Sequence, residues 1–262
     1  TCGIGAVIPE RFFNVGVAAL GTGSALGACF PGFERVTWWC DAVSSADPNE
    51  IVGPLGFGDE KYLTVGEPLQ YAIYFENMPT ATAPAQVVVI EDQLDPNVFD
   101  LNTLSLLGVK FGERYLQFPI GQASLSSTID LRPEQDLLVA VEGELDMETG
   151  RLAWTFRSLD PDTLALPDDP DAGFLPPNQV PPEGDGHVLF SLNLKPGLVT
   201  GDKISNEAVI VFDENDPIVT NRWVNTVDIS PPTSTVAPLD SEINDSAFMV
   251  SWIDQDEGSG ST

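Results

Sequence analysis

The sequence predicts an all-β, antiparallel β-sandwich, and three observations carry that expectation. Apolar residues alternate with polar ones at period two in several short runs. Glycine and proline, 23 and 22 of 262 residues, punctuate the chain between those runs. No ten-residue helical pattern separates one run from the next, as it would in a fold of alternating strands and helices.

The chain begins with a different kind of polymer. Residues 1–45 carry Glu10, Arg11, Glu34, Arg35 and Asp41, a net charge of −1, so the rest carries −28 of the total −29. All three cysteines (Cys2, Cys29 and Cys40) lie in this near-neutral part. Phe12 to Phe33 is 22 residues without a charge, long enough to cross a bilayer. Five glycines, Asn14, Thr22 and Ser24 dilute it, and no Lys/Arg cluster marks a cytoplasmic flank. The expectation is a short, helical, Cys-containing segment that ends a preceding region. An odd cysteine count in an oxidising compartment implies one disulfide and one thiol whose partner lies elsewhere. Cys29–Cys40 and Cys2–Cys40 both remain open pairings.

Residues 46–230 then read as the sandwich. Tyr71, Ile73 and Phe75 share one face of a first strand. Val87 to Ile90 is a β-branched run, expected to be buried on both faces. Leu137, Val139 and Val141 alternate, Met147 to Gly150 supplies a turn with glycine available for a left-handed position, and Leu152, Trp154 and Phe156 alternate back, which is a hairpin. Val188, Phe190, Leu192 and Leu194 make another strand, which places His187 on its polar, exposed side. Ala208, Ile210 and Phe212 make the next, and Trp223 with Val227 the last. Some seven strands at this spacing suit a two-sheet sandwich.

The segments VGEPLQYAIYFEN (65–77) and AQVVVIEDQLDPNV (85–98), with the closing ISNEAVIVFDENDPIVTNRWVNTVD (204–228), resemble the conserved-repeat Ig-like domains of bacterial surface proteins. DPNEIVGPLGFGDE (47–60), AGFLPPN (172–178) and EGDG (183–186) resemble a larger variant of that domain. The resemblance spans about residues 46–228 and implies an Ig-like sandwich, secreted or displayed at the cell surface, with no catalysis. It departs from the small repeat by a long insertion between Trp154 and His187. Residues 231–262 resemble the start of a fibronectin type III or Ig-like module, with Phe248, Val250 and Trp252 in its second strand; an extra strand on the main domain is the alternative.

Charge excludes several functions. Forty Asp+Glu against 11 Lys+Arg would be repelled by nucleic acid and by an anionic membrane surface. One histidine and three cysteines leave little for a His/Cys zinc site. A Ser-His-Asp triad would need His187, and the chain has no Gly-x-Ser-x-Gly elbow. Two carboxylates at glycosidase spacing are unavoidable among 40 acids and so say nothing.

The loop Ser158–Gly186 is the most informative stretch. It holds Asp160, Asp162, Asp168, Asp169, Asp171, Glu183 and Asp185, no base, and seven prolines. Crowded carboxylates repel, by about 4 kcal/mol for unit charges about 4 Å apart at an effective dielectric of about 20. A hard cation reverses that sign, and Ca²⁺ takes six to eight oxygens. Asp169-Pro-Asp171-Ala-Gly173 has the alternating-acid-then-glycine form of calcium loops without completing an EF-hand. The expected metal ligands are Asp160, Asp162, Asp168, Asp169, Asp171 and Asp185, with Asp213, Asn215 and Asp216 as a second cluster after a strand. The expected function is a non-catalytic, extracellular structural or adhesive module supported by Ca²⁺. Its partners would be neighbouring domains of the same chain, other surface proteins or polysaccharide. The alternative is a carbohydrate-binding accessory domain of a secreted enzyme, in which the tryptophans form a stacking platform; the alternation places Trp154 in the core instead.

Overall fold

A computed structural model describes residues 12–13, 38–39, 48–239, 249–256 and 258. The chain divides into two units, Thr1–Ala46 and Asp47–Thr262. In the first, β1 (Phe12–Phe13) and β2 (Trp38–Trp39) pair antiparallel, Phe12 opposite Trp39. Those four residues are strand where helix was expected; the three cysteines and the rest of the uncharged stretch lie outside the described residues. Among the described residues no helix is long and apolar enough to cross a membrane.

The second unit is all-β. One sheet has six strands in the order β15 (Ile218–Val219), β14 (Ala208–Phe212), β6 (Val87–Gln93), β11 (Arg151–Leu159), β10 (Leu138–Leu145) and β9 (Ser124–Asp130). The other has five: β3 (Ile51–Val52), β5 (Leu69–Glu76), β12 (Asp185–Leu194), β7 (Phe99–Phe111) and β8 (Arg114–Gln117). A small third sheet joins β13 (Lys203–Asn206), β16 (Trp223–Val227) and β4 (Tyr62–Leu63), the last two in parallel. Farther on, β17 (Thr233–Val236) and β18 (Trp252–Gln255) form an exposed hairpin.

Period two fills the core. Tyr71, Ile73 and Phe75 from β5, Val88 and Ile90 from β6, Trp154 and Phe156 from β11, and Val188, Phe190 and Leu192 from β12 are all buried in one cluster. Aromatic rings knit it: Tyr71 stacks on Phe190 at 5.4 Å and Phe75 meets Phe156 at 5.4 Å. Pairs of this kind contribute about 0.5–1.5 kcal/mol beyond their burial. Gly143 lets Trp154 lie flat across β10, since a Cβ there would stand 2.9 Å from the indole. The predicted hairpin is β10–β11, in unbroken register from Leu138↔Leu159 to Leu145↔Leu152. Its turn closes on Gly150, whose φ is +77° and whose missing Cβ makes room for the Leu94 carbonyl.

Two expectations about faces are corrected. Val87 to Ile90 is not buried on both sides: Val88 and Ile90 point inward, while Val87 and Val89 are half-covered on the outer face. His187 is not exposed. It is 7% accessible, because β12 is a central strand covered on both faces, and the imidazole stands 5.3 Å from the Tyr74 ring with Lys110 opposite on β7.

Candidate functional site

Residues 160–184 join β11 to β12 without a strand of their own; a single bridge, Ala85↔Leu175, ties them to the sandwich. A segment this acidic and proline-rich could not bury enough apolar surface by composition alone. It is ordered instead by two buried side chains and three amides. Phe174 stacks on Phe156 at 5.8 Å and meets the edge of Phe111 at 5.2 Å, and Leu175 is fully buried beside it. Gly173 allows the close approach, because a Cβ there would lie 2.6 Å from the carbonyls of Pro84 and Ala85. The Ser158 hydroxyl accepts from the Phe174 N–H at 2.9 Å.

The amides hold the backbone. Asn77 donates to the carbonyls of Leu175 at 2.9 Å and Ala83 at 3.1 Å. Gln86 donates to the carbonyls of Asp169 and Pro167 at 2.9 and 3.1 Å. Asn178 is the hub. Glu76 and Asp185 face each other across β5 and β12, and the Asn178 amide donates to both, at 2.8 Å to Glu76 Oε1 and 2.7 Å to Asp185 Oδ1. Its oxygen accepts from the Gly184 N–H at 3.1 Å. One amide thereby separates two like charges that strand pairing forces together.

Of the expected metal ligands, Asp160, Asp169 and Asp213 serve as acceptors for backbone N–H groups. Asp160 accepts from the N–H groups of Asp162 and Thr163 and from the Thr163 hydroxyl, which holds its carboxyl below the usual range, the Thr163 N–H contributing most. Asp169 accepts from the Asp171 N–H at 3.0 Å. Asp213, itself at φ +51°, accepts from the N–H groups of Gln86 and Val87 at 2.9 and 2.8 Å, while the Asn215 N–H closes the turn on the Phe212 carbonyl. Asp162, Asp168, Asp171 and Asp216 are exposed. Among the described residues no three His, Cys, Asp or Glu side chains gather as a metal cage would need.

The other motifs are also structural clamps. Asn225, fully buried, donates to the carbonyls of Pro54 at 2.8 Å and Lys61 at 2.9 Å, closing the loop between them. Trp223 donates to the same Pro54 carbonyl at 3.1 Å, and Gly53 lies beneath Trp223 and Tyr71 with no room for a Cβ. Lys61 carries its amine 3.3 Å over the Trp223 ring. Asn49 accepts from the Glu76 N–H at 3.3 Å.

Sequence reasoning missed one residue. Asp92 points into the core from β6, fully buried; Asn206 from β13 donates to its Oδ2 at 2.8 Å, and its Oδ1 has no partner. Burial pushes its pKa up to about 7 against the Asn206 hydrogen bond, and its charge in turn helps burial raise Tyr71. The signal was there: Asp92 keeps the parity of Val88 and Ile90.

A family described as a domain of unknown function, DUF7619, matches residues 47–115 and 171–226. The match takes in the second half of the 160–184 loop, ends within β8 and leaves out β9 to β11. No curated protein matches the chain. Among solved structures, domains D2 and D3 of the major pilin SpaD from Corynebacterium diphtheriae are 13% identical, with 72% of this chain and 53% of that one covered at a TM-score of 0.39. A 35 kDa C-terminal fragment of the major pilin GBS80 of Streptococcus agalactiae is 12% identical, with 72% and 57% covered at 0.40. The collagen-binding domain from a Staphylococcus aureus adhesin is 10% identical, with 70% and 99% covered at 0.36. The chain spans about half the length of the two pilin fragments. Superpositions this loose leave its function to its own residues.

Proposed function

We propose that residues 47–230 form a non-catalytic structural module of an extracellular or cell-surface protein, serving as spacer or adhesive scaffold beside neighbouring domains and other surface proteins. One observation carries this: Asn49, Asn77, Asn178, Asp213 and Asn225, the polar residues of the distinctive motifs, hold backbone or neighbouring carboxylates instead of converging on a place where a substrate could react. Sequence that would specify chemistry in an enzyme here specifies rigidity. The acidic surface suits a secreted protein that must stay soluble and apart from its copies.

The test is limited proteolysis and calorimetry of the 262-residue chain in Ca²⁺ and in EDTA at equal ionic strength, alongside retention on a polysaccharide panel. The expected result is equal protease resistance of the 160–184 loop in both buffers and no retention on polysaccharide. A melting temperature several degrees higher in millimolar Ca²⁺, lost on Asp169→Ala with Asp171→Ala, would establish the calcium-supported form of the module instead. Saturable polysaccharide retention, abolished by replacing the exposed Phe57 or Tyr115 with Ala, would overturn the structural reading in favour of a carbohydrate-binding accessory domain.

A further inference from the structure

Three ends of the two large sheets are blunted. At the outer ends, β15 and β3 have two residues each. The four residues of β8 lead into an irregular stretch with Pro119 and Gly121, the latter at φ +91°. These are the usual devices against unwanted strand pairing. The fourth end, β9, has none of them. It is seven residues long, Ser-Leu-Ser-Ser-Thr-Ile-Asp, and pairs with β10 in unbroken register from Ser124↔Glu144 to Asp130↔Leu138. It contains no proline, lysine or bulge, and its single charge, Asp130, is tied to Arg132 by two bonds of 2.9 and 2.7 Å.

In an antiparallel ladder every second residue of an edge strand turns its N–H and C=O away from the sheet. On the inner face Leu125 and Ile129 pack against the core yet remain half-covered. On the outer face Ser124, Ser126 and Thr128 are exposed, and the next strand sets Glu144 and Glu142 directly beside Ser124 and Ser126.

We propose that β9 is a docking edge for an extended segment of a partner protein in which apolar residues alternate with lysine or arginine. The incoming strand would complete the backbone ladder, cover Leu125 and Ile129 with its apolar face, and reach Glu142 and Glu144 with its cations. A second copy of this chain is the wrong occupant, because a net charge of −29 on each copy opposes close approach and neither β9 supplies a free cation.

The probe is a capped, fluorescent KVKVKVK peptide, titrated against the 262-residue chain at physiological salt. A second peptide of identical charge and side chains has alternate amides N-methylated along one edge. The plain peptide is expected to bind saturably, the N-methylated one about tenfold or more weaker, and hydrogen exchange to slow in the amides of 124–130. Equal affinities would overturn the docking edge, since charge alone would then explain binding. So would the absence of saturable binding, or protection confined to other strands. Concentration-dependent doubling of mass, abolished by Ser126→Lys with Thr128→Lys, would assign the edge to a second copy and equally overturn the cationic partner.

Discussion

Asp92 shows what one buried carboxylate does to the whole fold. Its Oδ1 lies in the core without a partner, and only Asn206 offsets the loss of water at Oδ2. Leaving such a group charged is costlier than leaving it protonated, which is why its pKa rises to about 7. In the unfolded chain an aspartate titrates near 3.9. Between these two values the folded state holds a proton that the unfolded state has lost, so stability falls as pH rises from about 4 to about 7, and is flat above. At most this is on the order of 4 kcal/mol. Asp92→Asn is expected to remove that slope: its unfolding free energy relative to wild type should improve steadily between pH 4.5 and 7.5 in urea titrations. Parallel curves for the two proteins would show that Asp92 is ionised in the core.

The loop between β11 and β12 behaves as an element although it has no ladder. Asn178 keeps Glu76 and Asp185 apart at 2.8 and 2.7 Å. Asn178→Asp preserves shape while placing three carboxylates in one partly buried spot. We expect it to lower stability by about 2–4 kcal/mol at pH 7, with much of the loss recovered near pH 4, and to open the loop to protease. A pH-independent loss would mean that packing, not charge, is what Asn178 supplies. Much of the surrounding framework was legible in advance, because β5, β10, β11 and β14 are covered mainly on one face and so alternate. β7 was not. Its register with β12 shifts between Leu189 and Phe190 and between Ser191 and Asn193, and each shift breaks period two along Leu104-Ser105-Leu106-Leu107. β9 escaped for the opposite reason, an edge strand with only two apolar residues. The loop's acids were legible as a count; their use was not, since capping a turn and ligating a cation call for the same short oxygen-bearing side chains.

For the whole molecule the governing quantity is the imbalance of charge. Ion pairs in the described part include Arg114–Glu134, Arg132–Asp130, Arg151–Glu91, Lys203–Glu60 and Arg222–Glu207. All of these pairs are substantially exposed, and such pairs contribute about 0–1 kcal/mol each. The excess of acids over bases repels itself at longer range, and that repulsion is what salt screens: the Debye length falls from about 10 Å at 0.1 M to about 3 Å at 1 M. Screening also weakens such attractive pairs, so the sign of the response depends on which sum is larger. A surplus of 29 negative charges, with only 11 Lys+Arg in the chain to pair with 40 Asp+Glu, decides it for repulsion. Raising KCl from 0.1 to 1 M should therefore raise the melting temperature, and choline chloride, whose cation cannot enter a carboxylate cage, should do the same. A rise with KCl alone would point to a cation site that the described residues do not display. A fall with both salts would show that the exposed pairs outweigh the net charge.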